Sequence, residues 1–209
     1  RDAEVKELIE EDKRISKVVT SDSRIFSGDY FISDLHPATT IRMINSERLR
    51  KAYINRIVEL ENSIGVFSLN VTFKEATFPY ENHNTYFFQN FQDVWHTTNY
   101  IPEIWPNSYA FYLTRGENGF ANSAAILCYM KFSEVARWKN TFNTVFNPSS
   151  RDDGYLEFKE RKAEMLFNLI ESNHPGFTMA VKSYHTSTPL TLRDYTGTPE
   201  GSFYGIVRD

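Results

Sequence analysis

In four stretches of this chain, apolar side chains recur at every second position, the period of a strand with one face turned to a core. Phe67, Leu69, Val71 and Phe73 fall on one face, with Ser68, Asn70 and Thr72 on the other. Tyr109, Phe111 and Leu113 repeat the pattern, as do Ile126, Cys128, Met130 and Phe132. Phe177, Met179, Val181 and Ser183 make a fourth run, and residues 86–89 a short fifth. Strands with one apolar face each predict a half-covered, largely antiparallel sheet, and something must cover that face.

Helical spacing supplies the cover. Residues 153–173 carry the strongest helical pattern, with Tyr155, Phe158, Met165, Leu166, Leu169 and Ile170 on one side and a stop at His174-Pro175-Gly176. A shorter helix is predicted over 133–140, with Ser133 as its N-cap. Upstream, His36-Pro37 opens a short helix over 38–45, proline being suited to the first helical position. Asn45 or Ser46 then caps a second helix to about residue 61, with Leu49, Tyr53, Ile57 and Leu60 as its stripe. The start of the chain predicts a β-meander over 4–10, 14–20 and 24–35, broken by Glu11-Asp12-Lys13 and Ser21-Asp22-Ser23. Val5, Leu8 and Ile9 also fit a helix, but the short regular gaps favour strands. Residues 77–107 form a long irregular stretch, of a length usually functional or structured by packing.

Composition narrows the function classes. At 209 residues the chain is one large domain, or one domain with a flanking piece. Its 17 Phe and 12 Tyr exceed ordinary usage, a surplus that suits core packing, an interface or an apolar ligand pocket. A net charge of −4 leaves no basic field for nucleic acid. The one basic cluster, Arg48, Arg50, Lys51 and Arg56, shares its helix with Glu47 and Glu59; a solvated face is the plain reading, an anionic membrane surface the sharper one. Cys128 stands alone in an apolar run, so it reads as a small buried hydrophobe. Neither a signal peptide nor an apolar run long enough to span a bilayer is present. The chain opens on Arg1 rather than Met, which suggests an excised piece and makes a missing targeting segment uninformative about the parent.

Motifs for self-contained catalysis are missing. The five histidines share no i, i+4 spacing, and one cysteine cannot build a zinc cluster. Glu81, His83, Asp93 and His96 could converge from one loop, but solvated loop residues are the commoner outcome, so no metal is expected. There is no G-x-S-x-G elbow, no G-x-G-x-x-G after a strand and no phosphate-binding G-x-x-x-x-G-K-[ST]. The backbone amides that would hold a dinucleotide pyrophosphate are therefore lacking, and this polypeptide alone should not bind FAD tightly.

Three segments nevertheless point to a flavoenzyme. The first is Val5 to Ile9 followed by Gly28-Asp29-Tyr30-Phe31-Ile32-Ser33-Asp34-Leu35-His36-Pro37; the second is Leu60 to Leu69. The third runs from Thr188-Pro189 through Gly197-Thr198-Pro199-Glu200-Gly201-Ser202-Phe203-Tyr204-Gly205. Together they resemble the return strand, the start of the substrate-domain sheet and the approach to the flavin in the phytoene desaturase, carotenoid isomerase and retinol saturase group of FAD-dependent oxidoreductases. Residues 77–160 resemble nothing in that group.

The resemblance implies an α+β chain within an α/β parent. Residues 1–36 would be the β-meander and return strand at the edge of the FAD domain, 37–187 the substrate-binding domain, and 188–209 the segment returning toward the FAD domain. It implies that Val5 faces the adenine end of FAD through its backbone, that Ser33, Asp34 and His36 lie where the strand leaves the cofactor domain, and that Gly201, Tyr204 and Gly205 lie near the isoalloxazine and substrate. Asp34 and His36 also suit plain capping, and Thr188 with Thr191 the start of a helical turn. The cofactor implied is FAD, with NAD(P) as a further electron partner, held by the parent rather than by this chain. The implied partners are an apolar small-molecule substrate and the remainder of the FAD domain, without nucleic acid; the expected location is cytoplasmic, with peripheral membrane contact allowed. No catalytic side chain is assigned, because hydride or electron transfer belongs to the flavin. Two rival readings use the same residues: a stand-alone module for an apolar ligand, and an interaction domain docking through the aromatic stretch 86–112, with Trp95 or Trp105 as anchor.

Overall fold

The computed structural model describes residues 3–149 and 151–207. Its first reversal shows how local chemistry sets the start of the chain. Asp12 and Lys13 both adopt positive φ, 48° and 70°, the signature of a two-residue type I′ hairpin, and Glu11 pairs with Arg14 across it. The flanking strands are β1 (Val5–Glu11) and β2 (Arg14–Thr20), and a short β3 (Ile25–Ser27) completes an antiparallel meander in the order β1-β2-β3. The third strand is thus much shorter than the predicted 24–35. Its ladder with β2 ends at the Lys17–Ser27 pair, and residues 28–35 leave the sheet.

Helix α1 (Pro37–Arg42) has proline in its first turn, as expected, and His36 as N-cap. The His36 Nδ1 accepts the Ala38 amide at 3.2 Å, so capping accounts for this histidine. Helix α2 (Lys51–Val58) starts later than predicted. Ser46 spends its hydroxyl on the Arg48 amide in a turn, and Arg50 occupies the N-cap without a side-chain bond. The basic cluster on and before α2 is exposed, with Arg48 3.7 Å from Glu10.

The structure divides into two compact units. The first holds residues 3–63 with 197–199 and 205–207; the second holds 64–196 with 200–204. The break therefore falls at Ser63/Ile64 rather than at residue 36, and α1 and α2 belong with the meander. The Leu8 amide donates to the Met43 carbonyl at 2.9 Å, tying the end of α1 to β1.

The second unit contains a five-stranded sheet, order β5-β6-β7-β4-β8, with every strand pair antiparallel. Its strands are β4 (Gly65–Phe73), β5 (Thr85–Phe88), β6 (Ser108–Arg115), β7 (Ala121–Met130) and β8 (Val181–Ser187). The fold class is α+β. The predicted alternation holds: Phe67, Leu69 and Val71 are buried on one face with Tyr109, Phe111, Ile126, Cys128 and Met130. Helix α3 (Asp153–Asn173) covers that face through Tyr155, Phe158, Lys162, Ala163, Leu166 and Ile170. Asp152 caps it by accepting the Tyr155 amide at 2.9 Å.

Two predictions in this unit are corrected. Residues 133–140 form two short 3-10 turns, Phe132–Glu134 and Ala136–Trp138, instead of one helix, and neither has a side-chain cap. Residues 177–180 form a helical turn, α4 (Phe177–Ala180), so the fourth strand begins only at Val181. The cause is local. Gly176 takes φ +89°, and the Glu171 carboxylate accepts the amides of Gly176 and Thr178 at 2.7 and 2.8 Å, fixing a helical start. Met179, placed on the inner face by the strand reading, is 78% exposed. After β8 comes helix α5 (Pro189–Thr196), capped reciprocally: Thr188 Oγ1 accepts the Leu190 amide and Thr191 Oγ1 the Thr188 amide, both at 3.2 Å. Among the described residues, no helix is long and apolar enough to cross a membrane.

A pH dependence follows from His36. Burial, with a smaller contribution from Arg42, holds its pKa below 6.5, while Asn62 pulls the other way. The unfolded chain then takes up the proton first, so this stability is complete above about pH 6.5 and is lost as pH falls through the folded value. His174, stacked on Phe111 at 4.9 Å, is likewise pushed down by burial and acts in the same sense. Thermal midpoints should fall on acidification below about 6.5, and His36→Asn, which can cap but not titrate, should flatten part of that slope. An unchanged slope in the variant would remove His36 as its source.

Candidate functional site

The sheet face turned away from α3 is built differently from an ordinary solvated face. The alternation that sends Tyr109, Phe111, Ile126 and Cys128 inward sends Ala110, Tyr112, Leu127 and Tyr129 outward. Strand register sets Tyr86 opposite Ala110, Ala110 opposite Leu127, and Tyr129 opposite Val66. Small side chains at Ser108 and Ala110 leave a depression, and larger ones stand around it. The result is a cavity of about 280 Å3, floored by Ala110 and Leu127 and walled by Tyr86, Tyr112, Tyr129, Phe203 and Tyr204. That volume sits near the lower end of small-molecule pockets, which run from ~300 to 1,000 Å3.

Its polar groups are phenols. Tyr112 donates to the Tyr86 hydroxyl at 3.3 Å, with the rings edge-on at 6.1 Å. The hydroxyls of Tyr129 and Tyr204 are 3.1 Å apart. The Tyr86 hydrogen bond, then burial, pushes the Tyr112 phenol up to about 12. Burial first, then the Tyr204 hydroxyl, pushes Tyr129 up as well. Both phenols are neutral donors at physiological pH. Cys128 contributes only its neighbourhood. Its side chain points into the core, where burial pushes the thiol up and leaves it unreactive.

The residues singled out from sequence are distributed over both units. Val5 and Gly205 belong to the first, Gly201 and Tyr204 to the second. Val5 lines an apolar groove of about 370 Å3 with Leu8, Ile15, Val18 and Ile44. Ser33 and Asp34 border the same groove. The Gly205 carbonyl accepts the Ser63 amide at 2.8 Å, and its φ of +76° has open space beside it. Tyr204 reaches the cleft and walls it. Gly201 does not line the cleft: it is buried at φ +60°, and a Cβ there would meet the Pro189 carbonyl oxygen at 1.9 Å. Close backbone approach is thus the reason for this glycine, and the approaching group is the chain itself.

Trp105, offered as a docking anchor, is 1% exposed and donates its indole N–H to the Tyr129 carbonyl at 2.7 Å, so it is a core residue. Trp95 is exposed. Among the described residues, no group of three or more His, Cys, Asp or Glu side chains is placed to share a metal ion; Asp93 instead bonds the Asn90 amide at 2.9 Å.

Of the phenols in the cleft, the sequence singled out Tyr204, for a place near a flavin, and gave no role to Tyr86, Tyr112 or Tyr129. The signal was present in β7, where Ala124-Ala125-Ile126-Leu127-Cys128-Tyr129-Met130 is apolar on both faces, as a strand covered on both sides would be. No protein-family model matches the chain, and no curated protein matches it either.

Proposed function

We propose that the second unit is the substrate-binding domain, and the first an edge of the cofactor domain, of an FAD-dependent oxidoreductase of the phytoene desaturase and retinol saturase group. Its substrate would be a carotenoid- or retinoid-like lipid, reacting at carbon–carbon double bonds. The observation that carries this reading is the phenol-walled cleft, in which Tyr204 stands at the end of the segment expected near the isoalloxazine and substrate. An apolar polyene needs an apolar slot, and stacked or edge-on aromatic walls suit a flat conjugated ligand.

Two further features support it. The second unit is inserted in the chain of the first, which resumes at 197–199 and 205–207, as expected of a substrate domain set within a cofactor domain. The first unit also leaves Ile25, Phe26, Tyr30, Ile32 and Leu35 exposed, with Tyr30 at 93% and Ile32 at 98%. An apolar run so exposed suits burial against more protein, and in this reading the remainder of the FAD domain supplies it.

The residues present suit a flat apolar substrate and do not fit a dinucleotide. A cleft of about 280 Å3 is lined by aromatic rings, and the chain offers no glycine-rich turn for a pyrophosphate. FAD when bound supplies the hydride or electron chemistry, with NAD(P) as a further electron partner. The chain's own residues orient the ligand. A stand-alone apolar-ligand module would use the same cleft, but leaves the exposed run at 25–35 without a role.

The test is to express the polypeptide that carries this chain in its native reading frame and record its visible absorbance. Bound oxidised flavin is the expected result, and a colourless protein indifferent to added FAD would end the proposal.

A further inference from the structure

The cleft is apolar at its floor, yet hydroxyls gather at its wall. Tyr112 bonds Tyr86 at 3.3 Å and the hydroxyls of Tyr129 and Tyr204 lie 3.1 Å apart, so two phenol pairs stand in one wall. We infer that the cleft selects a neutral, largely flat apolar molecule bearing one oxygen, a carbonyl or a hydroxyl, and that the Tyr86–Tyr112 pair binds that oxygen; this rests on the cleft being the substrate site proposed above.

Three observations favour that ligand class. First, none of the side chains lining the cleft is Asp, Glu, Lys, Arg or His. A carboxylate or phosphate head group would leave water there without a counter-ion, which is strongly unfavourable. Second, Tyr112 donates to Tyr86, so the Tyr86 hydrogen is directed to a different acceptor. The 3.3 Å separation is also long for a hydroxyl pair, so a ligand oxygen can enter without breaking a strong bond. Third, Tyr86 is 60% exposed, which leaves its hydroxyl open to solvent water. A pure hydrocarbon filling the cleft strips that water and returns no hydrogen bond, whereas an oxygenated analogue returns one.

The test is calorimetric titration of this chain with β-ionone, β-ionol and the deoxygenated hydrocarbon of the same ring and side chain. It is run on the unmodified chain and on Tyr86→Phe/Tyr112→Phe, which keeps both rings and should keep the far-UV spectrum. The oxygenated probes are expected to bind the unmodified chain roughly tenfold more tightly than the hydrocarbon. The double variant is expected to erase that preference while leaving the hydrocarbon within about twofold of its original affinity. Equal binding of all three probes to the unmodified chain overturns oxygen recognition and leaves the apolar cleft standing. Binding of none overturns the assignment of the cleft, and this inference with it, whatever the flavin absorbance of the longer polypeptide shows.

Discussion

Asp194→Ala is expected to destabilise the second unit by about 3–5 kcal/mol, the range for leaving a buried charge without its partner. The Asp194 side chain shows no surface to solvent, and each of its oxygens accepts twice. Oδ1 takes Nε and Nη2 of Arg193 at 2.9 and 2.6 Å. Oδ2 takes the Asn143 amide at 2.9 Å and the guanidinium of Arg151, itself almost wholly buried. Arg193 continues to the carbonyls of Lys139 and Thr141, and Arg151 donates to the Thr141 hydroxyl at 2.7 Å. One carboxylate thus fastens α5 to the stretch 139–143, and α5 leads directly into the segment that carries Gly201 and Tyr204.

Without Asp194, two cations remain together, one of them buried. A chain of this size loses about 2–4 °C of midpoint per kcal/mol, so the second unit's thermal transition should fall by roughly 10 °C or more. Arg193→Met should cost less, because Arg193 is partly exposed and Arg151 stays paired. An Asp194→Ala midpoint within a degree or two of the parent would mean that water, not protein, already solvates this charge.

None of that network was legible in the sequence, and the reason is physical. Asp194 and Arg151 are 43 residues apart, and their types are ordinary for exposed positions. Only tertiary placement makes them a buried pair. Period-2 alternation, by contrast, was sufficient for β4, β6 and β7, because each buries one face against α3 and so imposes its period on the residues. It misled at 177–180, where Phe177 is buried by a helical turn that Gly176 and Glu171 fix locally. In the cleft, one wall was legible through Tyr204. The other phenols were hidden because they occupy the outward positions of strands whose inward positions had already explained the pattern. Gly201 was noticed as a glycine needing close approach, but contact order decides what approaches. Pro189, twelve residues earlier, fills the space.

Lys162→Met should be comparably damaging, and its companion variants separate charge from packing. Lys162 lies on the buried side of α3, 3% exposed, with Nζ 2.7 Å from Glu134 Oε2 and 3.3 Å from the Pro102 carbonyl. Its ammonium stands 4.5 Å over the Trp105 ring and 5.7 Å over Phe158. Glu134 in turn accepts the Tyr100 hydroxyl, which itself accepts the Lys131 amide at 2.5 Å. Burial and Glu134 push the Tyr100 phenol up, so it remains a donor. Methionine preserves most of the volume but strands the Glu134 carboxylate, for an expected loss of about 3–5 kcal/mol. Glu134→Leu alone strands the ammonium and takes the acceptor from Tyr100, with a similar loss. Together, Lys162→Met/Glu134→Leu removes both charges. Only the Tyr100 hydroxyl is then left wanting an acceptor, so the double variant should lose about 1–3 kcal/mol, less than either single change. Denaturant midpoints for the four proteins close the cycle. Additive losses would mean that the two charges do not act on each other, and that Trp105 and Phe158 rather than Glu134 hold the lysine in place.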